Sequence, residues 1–147
     1  MVEHVARDPD YEARVRESFA RQQVMTKLGA EMILVSPGWV EIDMAYQEDL
    51  TQQHGFLHAG IVATLLDSAC GYAAYTLMEP GDNVVAVEFK TNFLRPATGE
   101  RLVARARVLR SGRSLTVCTG DAFMLQAGAE SHVAVMQSTI MKVRDTS

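Results

Sequence analysis

No run of apolar residues in this chain reaches the roughly 18 needed to cross a bilayer, although 48% of its 147 residues are hydrophobic. Positive charge is also scarce: 14 Lys and Arg stand against 18 Asp and Glu, a formal net charge of −4. That balance offers neither the basic stripe of a nucleic-acid surface nor a polybasic membrane patch. The opening residues, Met-Val-Glu-His-Val-Ala-Arg-Asp-Pro-Asp, put acids and a proline where a signal peptide needs an apolar run. Cysteine is limited to Cys70 and Cys118, each inside an apolar segment, which reads as two small buried hydrophobes rather than a bridge. The four histidines lack ligand spacing, so no metal site is expected. A nucleophile elbow and a Gly-x-Gly-x-x-Gly loop are both missing, which sets aside a serine hydrolase and a dinucleotide enzyme. What remains is a cytoplasmic globular chain of one domain over 1–147, with no nucleic acid, membrane or metal as partner.

The hydrophobic pattern then orders the elements. Tyr11, Val15, Phe19, Val24, Met25 and Leu28 recur close to helical spacing, with Asp10 as N-cap and Gly29 as stop, and predict one amphipathic surface helix over 10–28. Strands are expected at 30–35 and 39–45, joined by Ser36-Pro37-Gly38. Residues 46–57 read as a polar loop. An apolar helix over 58–77 ends at Pro80-Gly81-Asp82. Four strands follow at 84–94, 102–109, 114–125 and 131–143, linked by short turns and therefore antiparallel. Such a sheet needs one face covered, and the 58–77 helix alone is long and apolar enough. The expected class is α+β: a curved antiparallel sheet wrapped round one long central helix, with an additional N-terminal helix.

That central helix carries a puzzle. Ile61, Leu65, Ala69 and Tyr72, flanked by Val62, Leu66 and Ala73, form the stripe that should lie on the sheet at about 100° per residue. Asp67 points away from it, with no cation within two turns, in a row with Gly60, Ala63, Gly71 and Ala74. Small residues let another group approach the backbone. One reading is an exposed acid of no consequence. The other is a carboxylate beside apolar surface, raised in pKa and usable as a general base or nucleophile. His58 precedes Asp67 by nine residues, about half a rotation and about 13.5 Å along the helix. The two cannot serve one bond from the same chain, so a joint role requires two subunits. The helix start would then offer unpaired N–H groups at Ala59 and Gly60 and a positive dipole end for an oxyanion. Read singly, His58 is a helix-start or core histidine, the other reading being a catalytic one.

The residues Gln52-x-x-Gly55-x-x-His58-Ala59-Gly60 with the spaced Asp67, the run Val87–Pro96 and the turn Arg110-Ser-Gly-Arg-Ser114 resemble the hotdog-fold thioesterases of the phenylacetate-degradation type. The resemblance spans about 28–143. It implies hydrolysis of an acyl- or aryl-acyl-coenzyme A thioester, with coenzyme A as part of the substrate and no separate cofactor. Asp67 matches the catalytic acid, His58 the histidine at the helix start and Gln52 an amide that places water or the carboxylate. Ala59 matches a residue whose N–H polarises the thioester oxygen; it is usually glycine, and a backbone donor tolerates alanine. Where relatives carry a water-holding Ser or Thr, this chain has Gly71 and Ala86. The resemblance also implies a homodimer through the strand at 84–94, or a dimer-of-dimers tetramer, with active sites between subunits.

Coenzyme A phosphates call for a basic rim. Arg113 and Ser114, then Arg95 and Arg110, are the candidates beside Gly60, the alternative being ordinary solvated arginines. Tyr72, Tyr75 and Met78 read equally as acyl-pocket lining or as core. Two further functions stay open: a non-catalytic acyl-CoA-binding protein, and a hotdog enoyl-CoA hydratase or dehydratase, whose His-Phe-Pro-type loop is missing.

Overall fold

Alternation of side chains builds the sheet. Val40, Ile42 and Met44 of β2 (Trp39–Ala45), Leu102, Ala104, Ala106 and Val108 of β4 (Arg101–Ser111), and Cys118, Ala122 and Met124 of β5 (Leu115–Gln126) all turn inward and are buried. The remaining strands are β1 (Glu31–Ser36), β3 (Asp82–Phe93) and β6 (Ala129–Arg144). The computed structural model describes residues 3–144, so the domain expected over 1–147 runs past the described residues at both ends. Every pairing is antiparallel and the strand order is β1-β2-β4-β5-β6-β3. Although β3 precedes β4 in the chain, it lies beyond β6 and pairs with it from Asp82↔Arg144 to Phe93↔Ala134. Its other edge is left open. Bulges at Met32/Leu34, Ala86/Glu88, Val108/Arg110 and Ala122/Phe123 add the local bend and twist that let a sheet curl.

The long helix α3 (Ala59–Tyr75) lies in the hollow of that curl. It is shorter than the 58–77 span expected, because Thr76 and the following turn take over after Tyr75. Most of its length is buried. Helix and sheet are in tight contact at Gly120 of β5, where an added Cβ would sit 3.1 Å from Cys70 Sγ and 3.1 Å from Leu66 Cδ2. Both cysteines are free and buried, as the sequence suggested. Burial pushes the Cys118 thiol up to about 12 and raises Cys70 as well, so neither is a ready nucleophile.

The single helix expected over 10–28 is in fact two, α1 (Tyr11–Arg21) and α2 (Gln23–Leu28). They part at Gln22, whose backbone is extended (φ −78°, ψ 100°). Phe19 and Met25 are six residues apart, a rotation of about 240° on a continuous helix; the break resets the phase so that Val15, Met25 and Leu28 all reach the core. Gly29 ends α2 in the left-handed conformation (φ 67°) as expected. Asp10 occupies the N-cap place of α1 without capping it, and its own N–H donates to Asp8 Oδ1.

Arg14 holds α1 against the end of α3. Its guanidinium donates to Glu79 O and Met78 O, each at 2.7 Å, and stacks 4.8 Å from the Tyr75 ring. A cation at carbonyls beyond a helix C-terminus is well placed against the helix dipole. The α1–α2 break is thereby set beside the middle of α3.

The Gly120 contact gives a stability test. Gly120→Val overpacks the helix–sheet seam and should cost about 1–3 kcal/mol. Urea unfolding would show it as a lower midpoint with an unchanged slope.

Candidate active site

Asp67 occupies the middle of α3, half a rotation from the stripe that packs on the sheet. Gly60, Ala63 and Gly71 share its less buried face, whereas Ala74, expected in that row, is in the core. The carboxylate opens into a cleft of about 200 Å³ between α3, the α1–α2 break and the start of β3. One carboxylate oxygen, Oδ1, is buried and has no hydrogen-bond partner among the described residues. No cation pairs with the group among those residues. Desolvation alone raises its pKa above the ordinary aspartate value. A half-buried acid with one oxygen desolvated and unpaired costs stability, which makes it a candidate for chemistry.

His58 is the N-cap of α3, with Nδ1 accepting the Gly60 N–H at 2.9 Å. Of its open readings, helix start is the one observed. The ring is exposed, and its Nδ1 is engaged in capping. This corrects one expectation: Gly60 does not offer a free donor, because His58 takes it. Ala59 N–H, the next donor along, makes no hydrogen bond to the described residues.

Ala59 lies in a second cleft of about 380 Å³, together with Gln52, Phe56, Phe93 and Arg95. Gln52 closes its own turn by accepting from His54 N–H. Arg95 is fixed at the rim by donating to His132 O at 2.9 Å. Arg113 and Ser114 sit on the exposed β4–β5 hairpin and line neither cleft. The predicted residues therefore divide. Asp67 belongs to one cleft and Gln52, Ala59 and Arg95 to the other, eight helical residues or about 12 Å apart along α3.

Tyr75 and Met78 prove to be core, and Tyr72 is largely buried while lining the Asp67 cleft. Ser18 and Gln22, which line the same cleft, escaped the sequence reading. Ser18 Oγ and Tyr72 Oη lie 3.2 Å apart, and Ser68 Oγ donates to Gln22 Oε1 at 2.8 Å. The signal for them was the slipped apolar period between Phe19 and Met25, which marks the break that turns Gln22 inward. A roomier cleft of about 540 Å³ under the β1–β2 turn holds His4 and Trp39. There His4 Nε2 is engaged with Val108 O at 3.1 Å, and the one acid on the lining, Glu3, is exposed to solvent rather than held against apolar surface.

Comparison with known proteins places this geometry. Residues 54–128 match the model of the thioesterase superfamily. A crystal structure of a thioesterase family protein from Silicibacter pomeroyi is 55% identical and superposes with a TM-score of 0.90, over 92% of this chain and 99% of that one. Acyl-coenzyme A thioesterase 13 of Homo sapiens is 33% identical over 91 residues, 61% of this chain and 64% of its own. The PaaI protein of the E. coli phenylacetic acid degradation operon, 21% identical, shares the hotdog fold, with a TM-score of 0.83 over 91% and 94% of the two chains.

The dry carboxylate yields a linkage prediction. A carboxyl whose folded pKa lies above its unfolded value stabilises the fold fully below the unfolded pKa and loses that contribution as pH rises through the folded one. Asp67→Asn removes the charged form. It should raise the melting temperature at neutral pH, with the difference vanishing towards pH 3 in thermal scans across pH.

Proposed function

Because this chain belongs to the thioesterase superfamily and is thereby a thioester hydrolase, we propose that it cleaves an acyl- or aryl-acyl-coenzyme A with Asp67 as the base. The observation that carries this reading is the buried, unpartnered Oδ1 of Asp67 at an open cleft. An ionised carboxylate there takes a proton from water as the water oxygen bonds to the thioester carbonyl carbon. Collapse of the tetrahedral intermediate breaks the C–S bond and releases the free acid. The departing thiolate takes up a proton to give coenzyme A. Direct attack by Asp67 on the carbonyl is the variant of the same step, passing through an acyl anhydride that water then opens.

The oxyanion calls for a backbone N–H at the positive end of a helix, which Asp67's own cleft does not supply, and Ala59 N–H at the start of α3 is the available one. Within one chain the two are too far apart. A second copy brings them together. β3 is an open edge strand with Val85, Val87, Phe89 and Phe93 exposed, as is Leu94 just beyond it, a combination that invites pairing. Val84 and Ala86 border the Asp67 cleft and Phe93 borders the Ala59 cleft. Midway between them lies Phe89. A two-fold axis there pairs the β3 strands antiparallel and sets each Asp67 cleft towards the partner's Ala59 cleft. The same register places Glu88 opposite the partner's Lys90, a favourable cross-strand pair. Gln52 and Arg95 then join the site from the Ala59 side, Gln52 to steer water and Arg95 to meet a coenzyme A phosphate. Arg113 and Ser114 would contribute only from a neighbouring subunit, as in a dimer of dimers. The scheme consumes water alone and needs no cofactor.

A thiol-release assay over aryl and alkyl acyl-CoA substrates tests the chemistry. Asp67→Asn should lose roughly 10²–10⁴-fold in kcat while still binding acyl-CoA by calorimetry. Background release across the whole panel would favour a non-catalytic acyl-CoA binder instead.

The subunit geometry has its own test. Phe89→Asp should yield a monomer by light scattering and abolish hydrolysis although Asp67 is untouched. An active monomer would sink the shared site.

A further inference from the structure

We propose that Gln22, clamped by Ser68, supplies the side-chain donor that holds the attacking water against Asp67. The inference rests on the hydrolytic reading above and assigns a residue that the helical pattern concealed. Around the carboxylate, the next helical turn presents Gly71 and the facing strand presents Ala86; neither has a side-chain donor. Asn83 is exposed at the rim, with its Oδ1 accepting the Val84 N–H. The Ser18 and Tyr72 hydroxyls bond to each other, which spends one of their two protons and leaves the other as the rival donor that Tyr72→Phe tests. Gln22 is different. The chain leaves helical geometry at this one residue between α1 and α2, and the side chain it turns inward lines the same cleft as Asp67.

The Ser68 hydroxyl fixes that amide. Ser68 follows Asp67 directly on α3, is itself buried, and donates to Gln22 Oε1 at 2.8 Å. Gln22 Nε2 makes no hydrogen bond to the described residues, so its two protons remain for the cleft. With the amide turned over, Nε2 would donate to Ser68 Oγ and free the hydroxyl proton instead; either way a donor is left over. A water that gives one proton to Asp67 and accepts a hydrogen bond on one lone pair keeps the other lone pair for the carbonyl carbon. Gln22 thereby touches the reacting water and is a catalytic residue in the strict sense. Ser68 acts through it, as a positioning residue.

The test combines Gln22→Ala, Gln22→Glu and Ser68→Ala with steady-state kinetics across pH, each variant checked by thermal melting. Gln22→Ala should lower kcat roughly tenfold or more, the scale of one lost hydrogen bond in the transition state, with KM little changed. Gln22→Glu puts a second carboxylate beside Asp67 and should move the acid limb of kcat/KM to higher pH, a shift that requires the side chain at 22 to face Asp67, while the loss in kcat at unchanged KM in Gln22→Ala reads the water-holding role. Ser68→Ala should give a smaller loss in kcat than Gln22→Ala. A folded Gln22→Ala enzyme with wild-type kcat would overturn the inference, as would an unmoved acid limb in Gln22→Glu. A Tyr72→Phe variant that loses as much kcat as Gln22→Ala would also count against it. Failure here is separable from failure of the underlying reading. If Asp67→Asn is dead while Gln22→Ala is unaffected, only the water-holding role falls; if Asp67→Asn stays active, both fall.

Discussion

One desolvated carboxylate governs the arrangement of this molecule. Placing Asp67 on the central helix, with an oxygen cut off from water and no partner among the described residues, is unfavourable, and burial holds its proton more tightly than usual. The surrounding core has to absorb that cost. It does so with a helix buried along most of its length in a curled sheet, and with a contact at Gly120 so close that a single methyl group would press on Cys70 and Leu66. Rigid packing on one face of α3 permits an unsatisfied group on the other.

The same helix divides the chemistry. Asp67, the proposed base, and Ala59 N–H, the proposed oxyanion donor, sit on it about two turns apart, and a straight helix cannot fold back to unite them. Symmetry offers a remedy. An edge strand whose apolar residues are exposed, and whose midpoint lies between the two clefts, allows a second copy to complete what each chain begins. His58 has a modest part in this design: by capping Gly60 it leaves Ala59 as the next free donor at the helix start. The N-terminal segment joins from another direction. Arg14 pins α1 to the end of α3, and the break at Gln22 converts a surface helix into a wall of the Asp67 cleft.

Elements with a strict period were legible without coordinates. β2 and β4 alternate so cleanly that their inward residues could be named, and those residues are buried. The α3 stripe, the stop at Gly29 and the two free cysteines follow the same local logic. Where local logic failed, a distant contact had won. The helix over 10–28 breaks because its residues must meet the core at two phases. Ala74 leaves the small-residue row for the core because the sheet curls round that end of the helix. β3 leaves its sequence neighbour β4 and completes its ladder with β6, since the segment between β3 and β4 crosses the end of the sheet rather than turning tightly. On β3 the alternation was visible, but its apolar face is exposed in one chain, and periodicity cannot say whether a face is covered by its own chain or by another.

The sequence by itself determined which side chains are apolar, their spacing, and that a lone acid stands on the most apolar helix. From those follow the element types, the sheet-on-helix class and the suspicion attached to Asp67, because hydrophobic periodicity and capping act over a few residues. Only the tertiary structure decided that Gly60 N–H is spent on His58, that Gln52 and Arg95 stand with Ala59 rather than with Asp67, and that Gln22 and Ser68 meet across 46 positions. Those facts depend on how a curved sheet brings remote segments together, and no local pattern encodes the curve.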